Sequence, residues 1–306
     1  MKPGFYEMAD SEYFADPWGE ENPSLSASMA KTIMAKSIQN AWSQSPHCPE
    51  HVPFKPNAAM EFGKAVHALV FGGENVVVID APDYRTKAAK EQRDAANALG
   101  QIPLLEKRAD GMRVCAELVK RRFDGLYDGP YIPEQVLLWA ADGFDGEPEG
   151  PRRAKIDTRG KDNPIIVDLK TTQASISFDA CQKRIFSDKL HIQAAAYREA
   201  LETLKPEWKG RVQFYFQWIE QQAPYTLSEP IFMDETGLEL GLEQWHFAGR
   251  IWDNAVKTQN FLPPYNGVPR KALPPAFAFY SWEDTQARFA NMERGEQFMP
   301  KEQEIT

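Results

Sequence analysis

Two acidic residues and a lysine near the middle of the chain have the spacing of a metal-dependent hydrolytic site. Asp157 precedes a turn-forming stretch, and Asp168 and Lys170 alternate along the apolar segment that follows it. Residues two apart in a β-strand share a face, so Asp168 and Lys170 are expected on the same side. Carboxylate oxygens suit Mg²⁺, and a neighbouring ammonium can stabilise charge on a phosphate. This pattern indicates metal-assisted hydrolysis.

A β-hairpin over residues 152–172 is predicted to position these side chains. Residues 154–158 form its first strand, residues 159–164 its turn, and residues 165–170, rich in β-branched side chains, its second strand. If the turn is tight, Asp157 lies opposite Ile166, on the face of Asp168 and roughly 7–8 Å from it, so one ion could join both carboxylates. The alternative to a metal site is that both acids are solvated on the surface of an edge hairpin. This alternative stays open because an acid followed two residues later by a lysine is a common pattern after an apolar run.

A phosphate-binding helix start is predicted near the beginning of the chain. Ser26 or Ser28 caps a helical segment, SMAKTIMAKSIQNAWSQ, and Lys31 follows within one turn. Free N–H groups, hydroxyls and an ammonium can together bind a phosphate. The alternative is a serine that only caps the helix.

Other predicted helices, and a predicted strand, contain further candidate residues for the site. His67 lies one turn after Gly63 in a predicted helix, which leaves room for a ligand beside the imidazole, although a lone helical histidine can also be purely structural. Gln193 and Tyr197 are four apart in another helix and therefore share a face. Glu134 stands just before the apolar strand VLLWA.

The predicted fold is mixed α/β (α+β), with a central sheet between helices. The 306 residues are divided into a loosely ordered lead-in over 1–23, a domain over 24–265 and a C-terminal tail over 266–306 that is either wrapped on the domain or disordered. The domain carries a helical insert at about 84–123, formed by a polar helix and a second helix.

Composition limits the partners. The chain has no apolar run long enough for a membrane span and no secretory h-region, so no membrane association is expected. Three widely spaced cysteines, Cys48, Cys115 and Cys181, are typical of a reduced cytoplasmic protein. A net charge of −9 argues against non-specific coating of nucleic acid, but it is compatible with a local basic channel.

Taken together, these motifs resemble those of RecB-type nucleases in the PD-(D/E)xK superfamily. The series is Gly63-Lys64-x-x-His67, then Asp157, then Asp168-Leu169-Lys170-Thr171, then Gln193-x-x-x-Tyr197. The segments SLSASMAKTIM, FGKAVHALVF and YRTKAAKEQRDAANALGQIPLL are similar to the RecE (exonuclease VIII) group of phage and prophage exonucleases. The resemblance covers residues 24–265 and implies a PD-(D/E)xK nuclease core.

The resemblance implies a role for each motif residue. Asp157 and Asp168 would be carboxylate ligands of Mg²⁺ or Mn²⁺, joined by the Leu169 carbonyl and by His67. Lys170 would orient or deprotonate the attacking water and stabilise the scissile phosphate. The remaining expectations are that Gln193 and Tyr197 hold the phosphate or the Lys170 region, and that Glu134 and Thr171 support the strand end, Glu134 by contacting Lys170 or an outer-shell water.

DNA contacts are expected at two places. Ser26, Ser28 and Lys31 would bind the 5′ phosphate of a DNA end. A second group would contact the DNA backbone through sequence-independent interactions. It consists of Arg152, Arg153, Arg159 and Thr171 on the central hairpin.

The implied activity is a 5′→3′ exodeoxyribonuclease that degrades one strand of linear duplex DNA. It would leave a 3′ single strand for a RecT-like annealing protein and work as a homo-oligomeric ring, a trimer or tetramer, in the cytoplasm of a bacterial host if it is phage-encoded. Two alternatives stay open. One is an endonuclease of restriction or repair type, and the other is a non-catalytic DNA-binding protein on the same fold.

Overall fold

The computed structural model describes residues 1–51, 58–72, 76–127, 129–140, 150–262 and 271–293. The chain forms two compact units, Met1–Pro263 and Pro264–Thr306. Residues 141–149, just before the central hairpin, and the end of the chain after residue 293 lie outside the described residues.

A mixed sheet is the centre of the first unit. Within the described residues it has seven strands, which are β1 (Gly4–Tyr6), β2 (Leu25–Ser26), β5 (Tyr131–Ala140), β6 (Pro151–Gly160), β7 (Ile165–Thr172), β8 (Gln213–Glu220) and β9 (Ile231–Phe232). Their order is β1-β5-β6-β7-β8-β9, with β2 beside β6. The β6–β7 and β5–β6 pairs are antiparallel, whereas β7 and β8 are parallel.

Helices cover both faces of this sheet. The helices of the first unit are α1 (Asp10–Phe14), α2 (Ala27–Ala35), α3 (Ile38–Trp42), α4 (Ala58–Phe71), α5 (Lys87–Ala98), α6 (Glu106–Leu126), α7 (Phe178–Ser187), α8 (Leu190–Leu204) and α9 (Glu235–Thr258). One core cluster joins α2, α8 and α9 to Ile166 of β7. A second joins α4 and α6 to Val167 and Leu169 of the same strand. Successive residues of β7 therefore meet helices on opposite faces, as alternation requires, and the mixed α/β prediction is confirmed.

The central hairpin is confirmed, but its predicted register is wrong by two residues. Arg159, not Asp157, pairs with Ile166, and Thr158 pairs with Val167. The reason is that β6 continues to Gly160, so that only residues 161–164 connect the two strands. The register places Asp157 next to Asp168 at the point where the strands part.

The amino-terminal segment is part of the fold, so the predicted loose lead-in over 1–23 is wrong. β1 pairs antiparallel with β5. Asp16 is buried, and its carboxylate forms an ion pair with Arg153 of β6 at 2.6 Å. The side chain of Ser24 donates a hydrogen bond to the same carboxylate. Polar composition suggested a loose segment, but these polar groups are partnered inside the protein.

Two helical predictions need correction at their ends. The segment predicted as one helix after Ser26 is divided into α2 and α3, because the Ser37 hydroxyl accepts a hydrogen bond from the Asn40 amide and begins a new helix. The insert contains both predicted helices, α5 and α6. Within the insert lies a strand that was not predicted, β4 (Ile102–Leu105), which pairs parallel with β3 (Val76–Ile79), just before the insert.

The strand at the edge of the sheet beyond β8 is short. β9 pairs with β8 over Ile231 and Phe232, and a single bridge joins Leu227 to Ile219. Pro230 precedes β9 and has no N–H group to donate to a ladder, which accounts for the interruption.

The second unit contains a helix, α10 (Ala276–Glu293), where the sequence predicted a wrapped or disordered tail. The first half of this helix is the aromatic-rich segment AFAFYSWED. Among the described residues, none of the helices has the combination of length and apolar character that crossing a bilayer needs.

Candidate active site

The candidate site lies where β6 and β7 separate. The two strands pair at Thr158–Val167 and Arg159–Ile166, and the next residue of β6 is Asp157. The Asp157 carboxylate accepts a hydrogen bond from the Leu169 amide through Oδ2 at 2.8 Å. At this position the Asp157 side chain thus takes the place of a backbone carbonyl as the acceptor for the Leu169 N–H group. Its other oxygen, Oδ1, faces His67.

His67 enters this opening from α4. Its Nε2 lies 3.1 Å from the Leu169 carbonyl oxygen, and its Nδ1 lies 3.6 Å from Oδ1 of Asp157. Gly63, one turn earlier, allows α4 to approach β7 closely, since a Cβ built there would lie 3.0 Å from Oγ1 of Thr171. The Thr171 hydroxyl in turn accepts a hydrogen bond from Gln221 at 2.9 Å. Thr171 therefore sits between the helix and the strand end.

Asp168 is held from the other face of the sheet. Its side chain is buried, and Oδ1 accepts a hydrogen bond from Nε2 of Gln193, on α8, at 2.6 Å. Oδ2 forms an ion pair with Nζ of Lys170 at 2.5 Å. The two oxygens of the Asp168 carboxylate are therefore held by an amide and by an ammonium.

Burial and neighbouring charges change the acid–base properties of the site. Burial raises the pKa of Asp157 to about 6, with the Asp168 charge adding to the rise and His67 opposing it. For Lys170, burial lowers the pKa, but the Asp168 and Asp157 charges outweigh it, so the pKa is raised. The protonation states of Asp157, Asp168 and Lys170 therefore depend on one another, as is typical of a functional site built from charged groups.

The start of α2 approaches the same site. Ser26 caps the helix by accepting a hydrogen bond from the Met29 amide, and its Oγ lies 3.0 Å from Oγ of Ser28. Nζ of Lys31 donates to Oε1 of Gln193 at 3.4 Å. Burial, and then the Lys170 charge, lower the pKa of Lys31 to about 8. The predicted cap at Ser26 is confirmed, and Gln193 connects Lys31 to Asp168.

Two of the predicted residues have partners other than those expected. The Tyr197 hydroxyl donates to the backbone carbonyl of Lys155 at 3.2 Å, so it holds β6, and it also interacts with Gln193, the residue that binds Asp168. Glu134 forms an ion pair with Lys155 and not with Lys170. Sequence reasoning therefore missed Lys155, whose signal was its position two residues before Asp157, on the strand opposite Glu134.

The prediction that three arginines of the hairpin bind DNA is wrong, because the fold buries them. Arg152 pairs with Asp253 at 2.7 Å, Arg153 pairs with Asp16, and Arg159 donates to Gln135 at 2.5 Å. Their exposed fractions are 0%, 4% and 5%. The first two guanidinium groups join β6 to α9 and to the amino-terminal segment, and the third joins two strands of the sheet.

The family of the chain follows from a sequence comparison. A model of the PDDEXK-like domain of unknown function DUF3799 matches residues 26–248. The chain belongs to this family. The PDDEXK-like domain thus includes α2, α4, the hairpin, α8 and most of α9. The resemblance to the PD-(D/E)xK superfamily is confirmed, and so is the predicted fold, a mixed sheet flanked by helices.

Solved structures agree with this assignment at the level of the fold. The PDDEXK-like chain is similar to the crystal structure of a “putative exonuclease” from Eubacterium rectale, with a TM-score of 0.53 and 13% sequence identity. The match covers 88% of this chain and 96% of that one. No curated protein sequence matches the chain significantly.

The residues of the PDDEXK-like domain fit a divalent ion. His67, Glu134 and Asp157 each offer one ligand atom, and these atoms lie within 4.8 Å of one another. Carboxylate oxygens with one imidazole suit a hard or borderline ion such as Mg²⁺ or Mn²⁺.

Proposed function

We propose that this protein is a metal-dependent exodeoxyribonuclease that degrades one strand of linear duplex DNA in the 5′→3′ direction. One observation carries the proposal. His67 of α4 and Asp157 of β6 converge on Leu169 of β7, and the residues on either side of Leu169, Asp168 and Lys170, form an ion pair. The membership in a PDDEXK-like family supports a nuclease, and so does the fold shared with the Eubacterium rectale protein.

The side chains of the opening have separate roles in this proposal. Asp157, Asp168, His67 and the Leu169 carbonyl would hold Mg²⁺ or Mn²⁺. Such an ion lowers the pKa of a bound water and stabilises negative charge on a phosphate. Gln193 fixes Asp168 through its amide, which keeps that carboxylate aimed into the opening. Lys170 places an ammonium where the scissile phosphate would lie and orients the attacking water.

DNA would reach the opening along lysines rather than the buried arginines. Lys64 is exposed and lies one turn from His67 on α4. Lys31 lies beside Gln193, and Ser26 and Ser28 lie at the start of the same helix, where the three residues would bind the 5′ phosphate of a DNA end. Contacts of this kind are independent of DNA sequence and weaken with salt.

The wider biological setting is part of the same proposal. Strand removal would leave a 3′ single strand for a RecT-like annealing protein in the cytoplasm of a bacterial host. A homo-oligomeric ring of three or four subunits would keep the enzyme on its DNA. Mass measurement in solution tests the ring, because a monomer at working concentration would contradict it.

Asp168→Asn tests the proposed function. We expect the wild type to release nucleotides from linear duplex DNA only with Mg²⁺ or Mn²⁺, and not to cut a covalently closed circle. The variant keeps the shape and the Gln193 contact but loses the charge, so release should fall at least about 10²-fold. Acid-soluble nucleotides measure the rate. Cutting of the circle would favour the endonuclease alternative, and DNA binding without any hydrolysis would favour the non-catalytic one.

A further inference from the structure

Glu134 lies opposite Asp157 on the neighbouring strand. In the antiparallel β5–β6 pair, Pro133 is opposite Thr158 and Gln135 is opposite Ile156, so the position between them faces Asp157. Two carboxylates directly opposite each other repel and weaken a strand pair. A cation bound between Glu134 and Asp157 would explain why the two carboxylates lie opposite each other.

The backbone at Glu134 is also unusual. Its φ is 50°, in the left-handed region, which non-glycine residues adopt uncommonly. Such conformations persist where the surroundings fix them, and they cluster at functional sites. Here the conformation accompanies a carboxylate that reaches His67 and Asp157.

We propose that Glu134 is a direct ligand of the divalent ion, together with His67 and Asp157, and that Lys155 is its counter-ion when the ion is absent. This inference rests on the proposed function, because that function requires a bound divalent ion. It adds a carboxylate that the motif series does not contain.

The distances are consistent with one shared ion. With metal–oxygen bonds of about 2.1 Å, ligand atoms of an octahedral ion are about 3 Å apart when adjacent and about 4 Å apart when opposite. Nδ1 of His67 and Oδ1 of Asp157 are 3.6 Å apart. The three ligand atoms as a group lie within 4.8 Å, so a small contraction would bring them around one ion.

The rival explanation is that Glu134 serves only to neutralise Lys155. Lys155 has a second acidic partner, Asp10 of α1, at 2.5 Å. Among the described residues, the group that could hold a metal contains Glu134 and not Asp10. Asp10 is therefore a matched control, because replacing it removes a partner of Lys155 without removing a ligand.

The experiment is Mn²⁺ binding to the full chain, measured by isothermal titration calorimetry without DNA. We expect Glu134→Gln to weaken Mn²⁺ binding by more than about 100-fold, beyond the 10- to 100-fold loss that follows removal of a group that only supports a ligand. Asp10→Asn should bind Mn²⁺ as the wild type does. Unchanged binding in Glu134→Gln, or an equal loss in both variants, would overturn the proposal.

A second variant covers the case in which Glu134→Gln does not fold. Glu134→Asp keeps the charge and the ion pair with Lys155 but shortens the arm, so binding should weaken while thermal unfolding without metal stays near that of the wild type. Binding equal to wild type would overturn the inference. A chain that binds Mn²⁺ through Glu134 but cleaves no DNA would instead refute the proposed nuclease activity alone.

Discussion

Replacing Lys170 with alanine is expected to reduce nucleotide release by about 10²–10³-fold, the loss typical of removing one preorganised electrostatic group. The ammonium of Lys170 lies 2.5 Å from the Asp168 carboxylate, at the opening where the phosphate would be bound. Mn²⁺ binding and DNA binding should persist, because the carboxylates, His67 and the lysines of α2 and α4 remain. Rates from single-turnover digestion, with binding measured separately, distinguish the two effects.

Lys183→Ala is the control for this variant. Lys183 is exposed on α7, so its loss removes one positive charge without changing the site. Its rate should stay near that of the wild type. Wild-type turnover in Lys170→Ala would remove Lys170 from the mechanism, and an equal loss in both variants would indicate a general charge effect.

Asp16→Asn is expected to lower the free energy of unfolding by about 3–5 kcal/mol, the cost of leaving a buried charge without its partner. Asp16 and Arg153 are both buried and lie 2.6 Å apart. Asp16 has a left-handed φ of 61°, which asparagine also tolerates, so this substitution removes the charge without straining the backbone. Urea unfolding measures the change.

The comparison for Asp16 is Asp10→Asn. The Asp10 side chain is 62% exposed in its pair with Lys155, and exposed ion pairs contribute about 0–1 kcal/mol. A loss in Asp16→Asn no larger than in Asp10→Asn would show that the Asp16–Arg153 pair does not hold the amino-terminal segment to the sheet.

Local patterns predicted the elements that carry the site. The β-branched run before Lys170 indicated β7, and the spacing of Gln193 and Tyr197 placed both on one face of α8. Both signals come from residues close together in the chain, where periodicity is informative. The motif series then indicated the superfamily, because the motifs occur along this chain in the same order as in RecB-type nucleases.

Long-range pairing accounts for what the sequence did not predict. The charge of Arg152 and Arg153 is visible in the sequence, but their partners Asp253 and Asp16 are distant along the chain, so nothing local predicted burial. The register of the hairpin depended on how far β6 extends. The position of Glu134 opposite Asp157 depended on the β5–β6 register in the same way.

Digestion of an end-labelled linear duplex tests the central claim most directly. Two substrates, labelled at the 5′ or the 3′ end, are incubated with the wild-type protein and Mg²⁺, and a third reaction contains a chelator. We predict early release of the 5′ label as a mononucleotide, late release of the 3′ label and no release with chelator. Release that persists in the chelator, or a duplex left intact by the folded protein in Mg²⁺ and in Mn²⁺, would contradict the account.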